Sequence, residues 1–303
     1  DTVGFCAAAD AIAVAEHTLG IQRDYGNRKD RAHARFKYTI DDRGTEWFLG
    51  ELANRLGKPL APPRSVRFES SSDRYGWRES EDGRWHYTLF VESGRVVDRP
   101  GAALRTGLRA IAAAHDGIFA LTTNQNLVIA GVAPDARPAL DALLREHGIA
   151  NESRATGLRA NAIACVALPT CALAMAESER YLPTLIDKLD AVVEEAGLAN
   201  EPLSLRMSGC PNGCSRPFLA EIALVGKAPG KYNLYLGGNA SGERLNTLYR
   251  ETIGEEEILA ALKPLLQRYA AERVSGERFG DFVVRVSIVR AIRAGREFNR
   301  GSH

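Results

Sequence analysis

No sign of charge dominates this sequence. Its 39 Lys and Arg are offset by 38 Asp and Glu, a formal net charge of +1. No field surrounds the chain to collect nucleic acid or an anionic membrane, so neither is an expected partner and any basic site must be local. A long apolar run is also missing. The longest uncharged stretch, Ala160 to Ala176, is interrupted by Asn161, Pro169 and Thr170, and it is too short and too polar to cross a bilayer. No basic segment followed by an apolar core opens the sequence, so a secretory signal is not expected. With 45% hydrophobic and 25% charged residues, the composition is that of a globular chain, and 303 residues would ordinarily make two or three domains.

The chain opens at Asp1 with no initiator Met and runs almost at once into an Ala-rich helical pattern, which suggests a start inside a larger protein. Arg300, Gly301, Ser302 and His303 resemble the beginning of a purification tag and are excluded from fold reasoning. Ala7 to Leu19 reads as a helix closed by Gly20, followed by a basic run of Arg28, Lys29, Arg31, His33, Arg35 and Lys37. Thr45 can cap a second amphipathic helix, Glu46 to Leu56, stopped by Gly57 and Pro59. The Pro- and Ser-rich stretch Pro59 to Asp73 reads as a connection between domains.

From Arg84 the period changes to two. Trp85, Tyr87, Leu89 and Val91 alternate with polar residues as in a half-buried strand, with a turn at Glu92-Ser93-Gly94 into a strand over Arg95 to Val97. A helix through Leu104, Leu108 and Ile111 follows, then strands near Ile118 to Thr122 and Asn126 to Ile129, then a helix from Pro138 to Glu146. Two strands and a helix, repeated, fit a compact α+β sandwich. Beyond it are a helix over Ala172 to Tyr181, a helix begun by Pro183 and ended near Gly197, and a strand over Leu203 to Met207. Strands over Leu219 to Val225 and Tyr232 to Leu236 precede a helix over Glu255 to Glu272.

Five cysteines are an odd number, and they are unevenly spread. Cys6 stands alone on the Ala-rich segment and reads as a buried core thiol. Cys165 and Cys171 form one pair, Cys210 and Cys214 another. An odd count without a signal argues against a disulfide framework, and clustering argues for metal. The gap in the first pair, with Pro169 inside it, fits a zinc knuckle poorly, whereas an iron–sulfur cluster accommodates irregular spacing. Iron–sulfur, zinc and unliganded thiols all remain open on spacing.

The segments Ala164 to Glu177 and Gly209-Cys210-Pro211-Asn212-Gly213-Cys214 closely resemble the paired signature of the sirohaem-containing sulfite and nitrite reductases, and within them the haemoprotein subunits of assimilatory sulfite reductases. Thr122 to Gly131 looks like the family's second ferredoxin-like repeat, Leu224 to Leu234 like its C-terminal domain, and Arg23 to Arg28 with Lys37-Tyr38 like the end of its central domain. The resemblance covers nearly the whole chain but only the C-terminal half of the longer family members.

That resemblance implies a 4Fe-4S cluster on Cys165, Cys171, Cys210 and Cys214, with Cys214 also the axial ligand of the sirohaem iron and therefore the catalytic thiolate. It marks Lys37, Arg31, Arg35 and His33 as candidates beside the sirohaem carboxylates, against the plainer reading of a solvated loop. Asn212, Ser208 and Arg206 are further cofactor-binding candidates, against a turn residue, a strand end and an ordinary ion pair. Asn124 stands where the first repeat carries a haem-contacting Arg, so Asn124, Gln125 and Asn126 read as a structural pseudo-symmetric partner. Met175 reads as packing.

The expected fold is α+β. Residues 1–77 form the tail of a central sirohaem-binding domain, 78–152 a ferredoxin-like repeat of the parachute type, and 153–299 the iron–sulfur and sirohaem-ligating domain, with 300–303 a tag remnant. The expected function is cytoplasmic six-electron reduction of sulfite to sulfide, with electrons from a flavoprotein reductase subunit that oxidises NADPH. The missing N-terminal half is expected to supply the residues that grip sulfite, leaving this chain incomplete and inactive alone. The alternatives are a sirohaem nitrite reductase and a non-catalytic, metal-stabilised fragment.

Overall fold

The computed structural model describes residues 2–65, 70–150 and 155–292, in two compact units, 1–69 and 70–303. The expected boundary at 152, the end of the last domain and the terminal residues 300–303 lie outside the described residues.

The first unit is helical. A short turn at Ala8–Asp10 leads into α1 (Ala11–Tyr25), followed by α2 (Phe36–Arg43) and α3 (Thr45–Leu56). Gly20 does not close α1 as expected but lies inside it. A Cβ there would stand 2.9 Å from the Arg55 guanidinium, so the glycine makes room for a side chain of α3. Ile21, Phe48 and Leu52 form the small core, with Phe36 and Leu56 packed against it. Gly44, not Thr45, holds the N-cap position of α3.

The second unit contains two sheets. The first is assembled from β1 (Gly76–Glu79), β2 (Trp85–Leu89), β5 (Ile118–Leu121) and β6 (Leu127–Val132), in the order β1-β2-β6-β5 and antiparallel throughout. Between β2 and β5 come a two-stranded ladder, β3 (Asp98–Arg99) with β4 (Ala102–Ala103), and α4 (Leu104–Ala114); α5 (Arg137–Glu146) follows β6. Ile111 of α4 and Leu140 and Leu144 of α5 pack with Tyr87, Leu89 and Ile129 in one core, so the expected ββαββα sandwich is present. Gly76 and Trp77, ahead of residue 78, already pair with β2. The turn expected at Glu92–Gly94 is present, with Ser93 and Gly94 both at positive φ (52° and 68°), but the strand expected after it over Arg95 to Val97 does not form, and β1 takes its place beside β2.

After α6 (Gly157–Ala160) a mixed sheet is built from β7 (Ala162–Ala164), β8 (Leu205–Ser208), β9 (Ile222–Ala228), β10 (Lys231–Leu236) and β11 (Thr247–Ile253), in the order β11-β10-β9-β8-β7. The strands β7, β8 and β9 are parallel, and the rest antiparallel. The crossover from β7 to β8 carries α7 (Leu182–Glu195), begun by Pro183 as expected, and α8 (Glu255–Glu272) and α9 (Phe279–Arg285) complete the layer over the sheet. Leu205, Met207, Leu224 and Leu234 meet Leu185, Leu189, Leu262 and Phe282 in the largest core. Among the described residues no helix is long and apolar enough to cross a membrane.

The helix expected over Ala172 to Tyr181 does not form. The amides of Met175 and Ala176 both donate to the Gly209 carbonyl (2.8 and 3.1 Å), and Ala176 in turn accepts from Leu168 (3.4 Å). Backbone groups that a helix would use internally are bound to neighbouring segments.

Candidate cysteine site

Parallel strands place their carboxyl ends side by side, where ligands of such sheets bind. Ala164, the last residue of β7, stands opposite Met207 of β8. Cys165 extends this ladder, donating its N–H to the Met207 carbonyl (3.1 Å). Two residues further along β8 the chain turns at Gly209, whose N–H donates to the Cys165 sulfur (3.2 Å). Cys165 and the Gly209-Cys210 turn are thereby joined.

Gly209 is required by packing. A Cβ there would lie 2.6 Å from the Ala167 Cβ and 2.7 Å from the Ala176 carbonyl oxygen. The Cys165–Cys171 loop therefore lies directly on the Cys210 turn. Cys171 closes its own loop by donating to the Ala167 carbonyl (2.7 Å). On the other side, Gly213 takes a φ of 71°, and Arg216 donates back to its carbonyl (2.8 Å). Cys210 is buried, Cys165 and Cys171 are half-buried, and Cys214 is exposed at the tip. All five cysteines are free; Cys6, half-buried in the first unit, is less enclosed than the expected core thiol.

Among the described residues, no three His, Cys, Asp or Glu side chains converge closely enough to hold a single metal ion. Tetrahedral zinc needs its ligands about 2.0–2.3 Å from one point, whereas a four-iron cluster takes thiolates at separate corners.

Arg206 lies on β8 between the core-facing Leu205 and Met207. One of its Nη atoms donates to the Arg216 carbonyl (3.1 Å), while its buried Nε has no hydrogen-bond partner among the described residues. Burial first, and the neighbouring Arg216 charge second, push its pKa down to about 10. A guanidinium so placed calls for an anion, and the four thiolates with an anionic macrocycle are groups of that sign.

Ser208 is fully buried, its Oγ 2.6 Å from the Ser215 Oγ, and it also accepts from the Ser215 N–H (3.3 Å). The hydroxyl closes the turn that bears Cys210 and Cys214. Asn212 is exposed at the tip of that turn. Arg31, His33, Arg35 and Lys37 are exposed in the first unit. Asp30 accepts from the Ala32 amide (2.9 Å), and its other oxygen stands 2.5 Å from His33 Nδ1; these contacts, His33 foremost, lower the Asp30 pKa. Lys37 lies over the Tyr38 ring, 4.8 Å from its centre.

Sequence reasoning missed Arg216, which takes a left-handed φ of 56° and whose guanidinium donates to the Thr123 carbonyl (2.8 Å). Its position directly after the Gly209 to Ser215 turn was the available signal.

Two family descriptions match the chain: "Nitrite and sulphite reductase 4Fe-4S domain" over residues 1–60, and "Nitrite/Sulfite reductase ferredoxin-like half domain" over residues 78–147. The four paired cysteines lie outside both ranges. Among curated proteins, the sulfite reductase [NADPH] hemoprotein beta-component of Methylocella silvestris is 53% identical over 299 residues, 99% of this chain and 52% of that protein. The protein of the same name from Myxococcus xanthus is 57% identical over 289 residues, 95% and 51% of the two chains. The chain thus spans about half the length of the curated relatives it matches. Among solved structures, Mycobacterium tuberculosis NirA shares the fold, with a TM-score of 0.78 at 24% identity over 94% of this chain and 54% of that one.

Proposed function

The chain belongs to the sirohaem nitrite and sulfite reductase family, and from that premise we propose that it is the cluster-bearing part of a sulfite reductase haemoprotein. The cofactors that membership implies are sirohaem and a 4Fe-4S cluster. The observation that carries the reading is the joining of the two cysteine pairs at the carboxyl ends of β7 and β8, on the strand that carries Arg206, whose buried Nε has no hydrogen-bond partner among the described residues.

In this reading Cys165, Cys171, Cys210 and Cys214 hold the cluster, and Cys214, the exposed member, also binds the sirohaem iron. When bound, the two groups store and deliver electrons in small steps for the reduction of sulfite to sulfide. The protein's part is to hold the thiolates and balance their charge. Ser208 fixes the Cys210–Cys214 turn through Ser215, and Arg206, whose guanidinium donates to the Arg216 carbonyl just past that turn, supplies positive charge. Lys37, Arg31, Arg35 and His33 are proposed to meet sirohaem carboxylates, and Asn212 to bond to the macrocycle. Sulfite is the substrate, a flavoprotein subunit the electron donor, and the cytoplasm, where free thiols persist, the setting. Turnover is proposed for a chain of the relatives' full length.

The test is anaerobic reconstitution with iron and sulfide, then sirohaem, followed by metal analysis and absorption spectroscopy. Four irons per chain with cluster absorption, and a Soret band after sirohaem is added, are expected. Cys214→Ser should disturb both spectra and Cys6→Ser neither. Stoichiometric zinc in place of iron, or the reverse pattern of the two variants, overturns the assignment.

A further inference from the structure

One edge of the cysteine-bearing sheet is β7, so the backbone groups of Ala164 that point away from β8 need a partner. They find one side chain. The Gln125 amide donates to the Ala164 carbonyl (2.6 Å), and its carbonyl oxygen accepts from the Ala164 N–H (3.2 Å). A single glutamine thus stands in for a neighbouring strand, at the residue directly before Cys165.

The clamp is held from behind. Gln125 has a φ of 67°, left-handed backbone that a glutamine adopts only where its surroundings impose it. Thr122 Oγ1 accepts from the Asn124 and Asn126 amides (3.2 Å each) and donates to Asp73 (2.6 Å). The buried Asn126 donates to Asp73 (2.8 Å) and accepts from the Val91 amide (2.9 Å). From the other cysteine pair, Arg216 reaches the same turn at the Thr123 carbonyl (2.8 Å). One turn of the ferredoxin-like repeat therefore touches the chain next to Cys165 and two residues beyond Cys214.

We propose that Gln125 is a positioning residue for the cluster: its two-point clamp on Ala164 fixes the backbone from which the Cys165 thiolate projects, while Arg216 ties the Cys214 side to the same turn. This rests on the reading of the four cysteines as cluster ligands. The repeat is then more than a pseudo-symmetric partner, because it sets the spacing of the thiolates. Outer supports of this kind typically cost about ten- to a hundredfold in metal affinity when removed.

The experiment reconstitutes the wild-type chain, Gln125→Glu, Gln125→Gly and Thr123→Ala with ferrous iron and sulfide. Gln125→Glu keeps the size but loses the N–H donor, and Gln125→Gly keeps the left-handed backbone but deletes the amide. Iron loss to a chelator should be about tenfold faster in both Gln125 variants, and the electron paramagnetic resonance lines of the reduced cluster should move. Thr123→Ala, an exposed side chain in the same turn that leaves the carbonyl bound by Arg216 in place, should match wild type in both. In the metal-free chain, alkylation of Cys165 should be faster in the Gln125 variants, a measurement that needs no cluster. A wild-type cluster whose lability and resonance lines ignore Gln125 overturns this proposal alone. A wild-type chain that takes up no iron overturns the cluster reading and this proposal with it.

Discussion

The Gly209 amide points at the Cys165 sulfur, 3.2 Å away, so a residue beside the second cysteine pair donates to a member of the first. The same glycine has no room for a side chain. Gly209→Ala would bring a methyl to 2.6 Å from the Ala167 Cβ and should cost about 1–3 kcal/mol, read by urea unfolding, with reduced iron uptake on reconstitution.

Arg206 gives a prediction in the opposite sense for the metal-free chain. Its pKa in the folded chain, pushed down to about 10 by burial and by Arg216, lies below the ordinary arginine value. The folded chain therefore holds this proton less tightly than the unfolded one, and stability rises as the pH climbs between those values. Below that window the cost of the buried charge is fully present. Arg206→Met should raise the stability of the metal-free chain at neutral pH by about 1 kcal/mol, after allowing for partial screening by solvent. Once cofactor is bound the variant should hold it less firmly, which thermal melts with and without reconstitution will compare.

Glu221 has the reverse character. It is fully buried and accepts from Arg278 (2.8 Å), the Ser204 amide (2.9 Å) and the Gly280 amide (3.2 Å). Glu221→Ala strands Arg278 and two amides and should cost about 3–5 kcal/mol, measured by denaturant unfolding.

The strand β5 forms an edge of the four-stranded sheet, with Ile118 65% and Leu121 85% exposed. An unpaired apolar edge promotes association. Ile118→Lys and Leu121→Lys should each lower the apparent mass of the chain in sedimentation at high concentration, with little change in melting temperature.

Elements whose pattern serves one local purpose were legible in the sequence. The helix expected over Glu255 to Glu272 has those bounds, and the alternation from Trp85 and the apolar faces of α4 and α5 marked β2 and both helices, but the partner of β2 was sought after it at Arg95 to Val97, whereas β1 pairs with it from before. Where the backbone serves distant partners, the pattern misled. Ala172 to Tyr181 is helical in composition but is tied to Gly209 and to Met207, whose carbonyl accepts from Ser178 Oγ (2.6 Å). Gly20 looked like a stop because its reason, the Arg55 guanidinium, comes from another helix. The strand β11 was missed because its middle is exposed and its pairing with β10 shifts register. The four cysteines could be singled out from spacing and resemblance, but the contacts around them are long-range. No local signal places Gln125 against Ala164 or Arg216 against Thr123.

The two cysteine pairs come from either side of the α7 crossover, with 38 residues between Cys171 and Cys210. Parallel strands cannot pair through a tight turn; they must wait for the intervening segment to pack. The site is therefore a late product of folding, absent until α7 has docked and β7 has met β8, because contacts so far apart along the chain close slowly. Neither cysteine segment excised as a peptide would reproduce it. On partial denaturation the shared carboxyl edge of β7 and β8 should be lost as soon as the crossover loosens, releasing bound iron ahead of global unfolding.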